Sequence, residues 1–252
     1  MKDKSELNSN AILLRKKLGE DIFSPIDVFG LIKGIEDTTL VFYPMSEQIS
    51  GMCVRIDHKD SLIAINSNST YGRQRFTAAH ELYHLNFQPN FKNVVCSKDL
   101  EGPKEEEEKN ADAFASYFLA PYEALKIFIS ETLKKDKDSL SINDIVRIEQ
   151  HFGMSRQATL YRLLNDRYID PEKVDEYKTN VIQSARKLGF DEKLYYPSPE
   201  NEQYMTMGAY IVMVEKLKEN GIISNGKYKQ LLIEAYRADI AYNLKAGEPI
   251  YD

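Results

Sequence analysis

The sequence predicts an α+β protein, with a small sheet and two chemistry-bearing helices in the first half and a mostly helical C-terminal region. Three observations carry this. Three β-branched or alternating stretches fall between residues 40 and 65, and apolar residues recur at three- and four-residue spacing from residue 73 onward. The composition, 42% hydrophobic and 29% charged over 252 residues, is that of an ordinary folded chain with enough length for one large domain or two small ones.

The elements follow in order. Residues 7–19 carry Ile12, Leu13 and Leu18 in a helical stretch. Ser24-Pro25 reads as a cap followed by proline at the first helical position, opening a second helix through Val28, Leu31 and Ile32. The stretches Leu40 to Tyr43, Gly51 to Ile56 and Leu62 to Ile65 read as strands separated by turn-forming residues. Arg73 to Phe87 turns helical, with Phe76, Ala79, Tyr83 and Phe87 on the repeat, while Phe91 to Cys96 fits a short strand or a loop. Pro103, with four glutamates at 105–108, opens a helix that runs to Leu119 and is stopped by Pro121, its acidic first turn suiting the helix dipole. The remainder is helical in pattern, broken by Lys134 to Ser141, by Gly153 and by the polar stretch Tyr196 to Gln203, which reads as a linker. Tyr210 to Val214 and Leu231 to Tyr236 read as helical core. The chain thus divides into 1–135, 136–195 and 196–252.

Charge and composition exclude several classes of function. With 33 basic against 39 acidic residues the net charge is −6, the wrong sign for a protein that mainly grips nucleic acid or an anionic membrane. No apolar run approaches the roughly 18 residues needed to cross a bilayer, and the segment Met1 to Glu6 lacks the apolar core of a signal peptide, so a cytoplasmic location is expected. Two cysteines, Cys53 and Cys96, are too few for a disulfide framework and form no C-x-x-C pair; both are expected to be half-buried thiols.

The strongest local signal is His80-Glu81-Leu82-Tyr83-His84, an H-E-x-x-H match within the helical run. Residues four apart share a helix face, so both imidazoles can point at one metal ion, with Glu81 one step round as a general base for a water. A catalytic zinc takes three protein ligands and keeps one open position, so a third is required. His58 and His151 lie in settings that fit surface or satisfied histidines. The acidic helix is the better source: its apolar stripe through Ala111, Phe114, Ala115 and Phe118, traced backwards, reaches Glu107 and Glu108, and periodicity does not choose between them.

Arg73 to Leu85, followed by Glu108-Lys109-Asn110-Ala111-Asp112-Ala113-Phe114-Ala115, resembles the ImmA/IrrE family of bacterial metallopeptidases. Ile65-Asn66 and Leu119-Ala120-Pro121 also fit its pattern, which is specific over 50–121, weaker over 141–170 and uninformative past 171. Tyr83 departs from it, standing where the family often has glycine, and is expected to tighten packing over the helix. The resemblance implies a zincin-like domain at 1–135 with Zn2+ held by His80, His84 and Glu108, Glu81 as catalytic base, and Asp112 hydrogen-bonding a ligand imidazole. It leaves Glu105, Glu106 and Glu107 as solvated charges. It also implies that Ser50 to Val54 is the edge strand that pairs with an extended substrate, although an ordinary sheet strand fits as well. The expected reaction is hydrolysis of a peptide bond in a helix-turn-helix repressor, which would make the protein an anti-repressor for a mobile element or stress response. Manganese or another divalent ion is open beside zinc. No residue suggests itself for stabilising the oxyanion; Tyr117 is near the site in sequence, but its side could equally be packed.

Residues 145–164 have the shape of a helix-turn-helix: helix to Phe152, turn at Gly153-Met154-Ser155, then a helix opened by Arg156 and Gln157. Across 141–170, however, four arginines meet four acids, so the segment is neutral where a phosphate-gripping module should be basic. This argues against direct DNA binding and for a structural or protein-recognition use. A rival from another class is a non-catalytic regulatory module that keeps a zinc site and acts by holding a partner protein or DNA.

Overall fold

The computed structural model describes residues 2–56, 59–89, 91, 93–97 and 105–244. Helices α1 (Lys4–Lys17) and α2 (Val28–Lys33) precede strands β1 (Thr38–Tyr43), β2 (Ile49–Ile56) and β3 (Asp60–Asn66). Helix α3 (Tyr71–Phe87), strand β4 (Asn93–Ser97) and helices α4 (Glu106–Leu119) and α5 (Tyr122–Ile127) follow. Then come α6 (Ile142–Phe152), α7 (Arg156–Asn165), α8 (Val174–Tyr177), α9 (Val181–Lys187), strand β5 (Met205–Gly208), α10 (Ala209–Glu219), α11 (Asn225–Glu234) and α12 (Ala238–Ala241). The architecture is α+β, with one five-stranded sheet ordered β4-β2-β3-β1-β5. No described helix is long and apolar enough to cross a membrane.

The sheet begins as the alternating residues dictate. In β1, Thr38, Leu40 and Phe42 point inward and their neighbours outward, while central β3 is buried along nearly its whole length. β1 pairs with β3 in parallel, and β2 runs antiparallel to both β3 and β4. The interior position of β2 corrects the edge-strand expectation for Ser50 to Val54: Gly51 pairs with Ile65 on one side and Cys96 on the other, so the edge is β4. Phe91 to Cys96, open between strand and loop in the sequence, holds this strand.

Three further expectations change. The helix expected from Ser24-Pro25 starts only at Val28, because the Ser24 amide is held by the Asp21 carboxylate and its carbonyl by Arg15. The presumed linker at 196–203 lies against the start of α3: the Tyr71 amide donates to the Tyr196 carbonyl at 2.8 Å and the Ser198 amide to the Ser67 carbonyl at 3.1 Å. From there the chain adds β5 antiparallel to β1, a strand too short to show a period in sequence. Finally, α10 and α11 bury little: Val214, Leu232 and Ala241 form a small satellite cluster, and Val212 and Met213 are 51% and 48% exposed.

One core runs from the N-terminal helices to the α6–α7 pair, joining Leu7, Ala11 and Leu14 of α1 to Phe114 and Phe118 of α4 and to Ile148, Phe152 and Leu160. The α6–α7 pair has the capped geometry its residues encode. Ser141 and Asp144 form a reciprocal capping box, Gly153 takes the left-handed conformation (φ 64°) that ends α6, and Ser155 caps α7. Arg147 is exposed, but its other two arginines face inward. Arg156 pairs with fully buried Glu149 and donates to the Tyr177 carbonyl and the Ser184 hydroxyl. Burial pushes the Glu149 carboxyl up, with Arg156 and the Tyr195 hydroxyl opposing that shift. Arg162 pairs with Asp166 and lies over the Tyr117 ring, 4.1 Å from its centroid.

The sheet and α3 come unusually close at Gly51, where a Cβ would stand 2.7 Å from Thr77 Cγ2 and 2.8 Å from the Ala64 carbonyl oxygen. Since the carbonyl belongs to the central strand and has no freedom to swing aside, Gly51→Ala is expected to destabilise the fold by about 1–3 kcal/mol in urea unfolding. An unchanged midpoint would contradict the close packing. Arg156→Met should cost about 3–5 kcal/mol in the same assay, because it strands the Glu149 charge in the core. A loss below about 1 kcal/mol, the range of an exposed pair, would mean that Arg156 is not structural.

Candidate metal centre

Helix α3 is buried from Gln74 through Leu85, so its polar residues had to find partners inside the protein. Its counterpart α4, buried from Asn110 to Leu119 apart from Ala113, is fixed at its C-terminal end by two buried arginines. Arg15 donates to the Phe118 carbonyl at 2.8 Å, and Arg162 to the carbonyls of Ser116 and Ala120 at 2.9 and 2.8 Å. The Ser116 carbonyl also accepts from the Ala120 amide, whereas those of Phe118 and Ala120 lie where a helix end runs out of intrahelical donors, and cations suit that end of the dipole.

The two helices bring His80, His84 and Glu108 to one point, all three ligand atoms lying within 4.8 Å of one another. Nε2 of His80 and Nε2 of His84 are 3.0 Å apart, and each is 3.3 Å from a different oxygen of Glu108. On the far side of each ring, Nδ1 of His80 is 2.9 Å from Asp112 Oδ1, and Nδ1 of His84 is 2.5 Å from Gln88 Oε1. A carboxylate and an amide oxygen only accept hydrogen bonds, so both imidazoles carry their proton on Nδ1. Each Nε2 then presents its lone pair toward the other imidazole and toward the Glu108 carboxylate.

Such a convergence of acceptors fits a cation. Four-coordinate zinc with ligands about 2.05 Å away would set neighbouring donor atoms about 3.3 Å apart, close to the 3.0 Å between the imidazoles and the 3.3 Å from each to its nearer Glu108 oxygen. Two imidazoles and a carboxylate also suit zinc's preference for nitrogen and oxygen donors and leave a fourth position open. Glu81 lies on the same helix, fully buried and turned toward β2, with Oε1 3.4 Å from where a Cβ on Gly51 would stand.

The surroundings differ from expectation in several places. Glu105 and Glu106 are exposed, but Glu107 is no solvated charge: it accepts a 2.7 Å hydrogen bond from the Tyr83 hydroxyl. Tyr83 itself is fully buried between Phe87 and Phe114, and burial together with Glu107 raises its pKa. Tyr117 sits under Arg162 on the side of α4 opposite Glu108 and takes no part in the centre. Cys53 is fully buried rather than half-buried, with Sγ 3.9 Å from the Glu81 carbonyl. His151 stacks on Phe128 at 4.1 Å, and His58 falls outside the described residues. Sequence reasoning missed Gln88, although it lies one helical turn beyond His84, and Phe91, whose ring stacks on that imidazole at 6.0 Å.

Residues 38–164 match Peptidase_M78, the IrrE N-terminal-like domain. No curated protein matches the chain. The matched span covers half of the sequence and contains the sheet strands β1 to β4, both site helices and all three candidate ligands. By that match the chain belongs to the M78 family of metallopeptidases, those with an IrrE N-terminal-like domain.

Proposed function

We propose that the protein is a zinc-dependent endopeptidase that cleaves a specific bond in a cytoplasmic protein substrate. The observation that carries the reading is the meeting of three donor atoms from His80, His84 and Glu108, two of them on the helix that also carries Glu81, within a family of metallopeptidases. Zinc in this site would supply Lewis acidity, polarising the scissile carbonyl and lowering the pKa of a water at the open position.

The chain's own residues do the rest. Nε2 of His80, Nε2 of His84 and the Glu108 carboxylate would hold the ion, while Asp112 keeps the proton of His80 on Nδ1. Glu81 takes a proton from the attacking water on its carboxylate and delivers it to the leaving amide nitrogen, the general-base role open to a carboxylate next to a ligand. An extended substrate pairs with β4, the edge of the sheet on the side of β2. The substrate class, a helix-turn-helix transcriptional repressor, rests on the resemblance to ImmA/IrrE proteins. The inward-facing Arg156 and Arg162 favour a structural use of the α6–α7 pair over reading of DNA.

The test has two parts. Protein purified without added metal or chelator is expected to carry about one zinc per chain by mass spectrometry, lost or much weakened in Glu108→Ala. Folded wild type that stays metal-free when zinc is offered would sink the mechanism. Glu81→Gln should keep the metal and the fold yet lower cleavage of a peptide or repressor substrate by about 10²–10⁴-fold, the share typical of a general base. If the biological effect survives that substitution, the protein acts by holding its partner rather than by cutting it.

A further inference from the structure

We infer that Gln88 is the positioning residue of His84: its side-chain amide fixes the imidazole proton on Nδ1 and thereby aims the Nε2 lone pair at the metal. The inference rests on the metal-site reading above and concerns a residue outside the H-E-x-x-H and glutamate elements.

The geometry supports it from two directions. Gln88 is the first residue past α3, in an extended conformation (φ −76°, ψ 123°), and it stands four positions after His84 on the same side of the helix. Its Oε1 is 2.5 Å from His84 Nδ1, and an amide oxygen can only accept, so the proton is on Nδ1 and the lone pair on Nε2. The Phe91 ring meanwhile stacks on His84 with an interplanar angle of 23°. Phe91 therefore sets the plane of the imidazole and Gln88 its rotation within that plane, which together leave one direction for Nε2. That direction is the shared point with His80 and Glu108.

The two histidines are oriented by different chemistry. His80 leans on the carboxylate of Asp112, whereas His84 leans on a neutral amide. Glu81, Glu108 and Asp112 already place three carboxyl groups on the facing turns of α3 and α4. The amide does the orienting work of a second Asp112 without adding a fourth acid. Partners of this kind are generally worth 10- to 100-fold in metal affinity or activity.

The experiment compares full-length wild type, Gln88→Met and Gln88→Glu. Methionine keeps the length and removes the acceptor; glutamate keeps the acceptor. Zinc affinity is read by competition with a chromophoric chelator, ligand geometry by the visible spectrum of the cobalt-substituted protein, and fold by thermal unfolding of the metal-free form. The expected result is zinc binding about 10- to 100-fold weaker and a changed cobalt spectrum in Gln88→Met. Gln88→Glu should restore both to wild-type values, with the metal-free midpoint the same in all three. Wild-type affinity and spectrum in Gln88→Met overturn the inference while leaving the metal site standing. Weakened binding that glutamate does not rescue, with a lowered metal-free midpoint, also overturns it, since Gln88 then serves only the helix end. Wild type that takes up no zinc overturns the metal-site reading and this inference together.

Discussion

The structure is organised around a repulsion. Two imidazole lone pairs and a carboxylate are held about one ligand–ligand spacing apart, with their protons turned outward, an arrangement that is unfavourable until a cation joins it. Helices left to themselves would slide or rotate to relieve it. The surrounding features are those needed to prevent that. Gly51 lets α3 lie flush on the sheet, so the helix cannot be displaced toward the strands, and Arg75 ties it to the Gly153 and Ile26 carbonyls at 3.0 and 2.7 Å. On α4 the corresponding anchors are Arg15 and Arg162, which hold its C-terminal carbonyls from two unrelated elements.

These buried arginines explain why the N-terminal helix and the α6–α7 pair belong to the same core as the centre. Burying a guanidinium is costly unless its donors are matched, and each of these side chains reaches several carbonyl oxygens or a carboxylate. The α6–α7 pair has the capping of a helix-turn-helix but spends Arg156 and Arg162 on the core, so its neutral charge follows from ion pairing within the fold. It acts as a wall behind α4. By contrast, the C-terminal helices α10 to α12 touch the rest through β5 and a few contacts with β1, and their own cluster is small.

Tyr83 shows how a departure from a family pattern is absorbed. A glycine there would leave a gap against α4; the tyrosine fills it between Phe87 and Phe114 and recruits Glu107 to its hydroxyl. That contact also separates the two glutamates that helical periodicity left equivalent. Glu107 turns toward Tyr83, and Glu108, one residue on, turns toward the histidines.

What the sequence determined by itself is what local geometry dictates. The spacing of His80 and His84 puts them on one face of any α-helix, Ser141, Gly153 and Ser155 set the limits of α6 and α7 through their own backbone and hydroxyl chemistry, and alternation located β1 to β3. The tertiary structure decided everything that depends on which distant segments meet. It made β4 rather than β2 the edge, drew β5 from the far end of the chain to β1, and turned the presumed linker into a contact with α3. It also set Arg15 and Arg162 on the C-terminal carbonyls of α4, Phe91 against His84 and Glu107 against Tyr83. Register between strands and the partners of buried polar groups are settled by packing across the core, and that energy leaves no periodic trace in the segments that supply it.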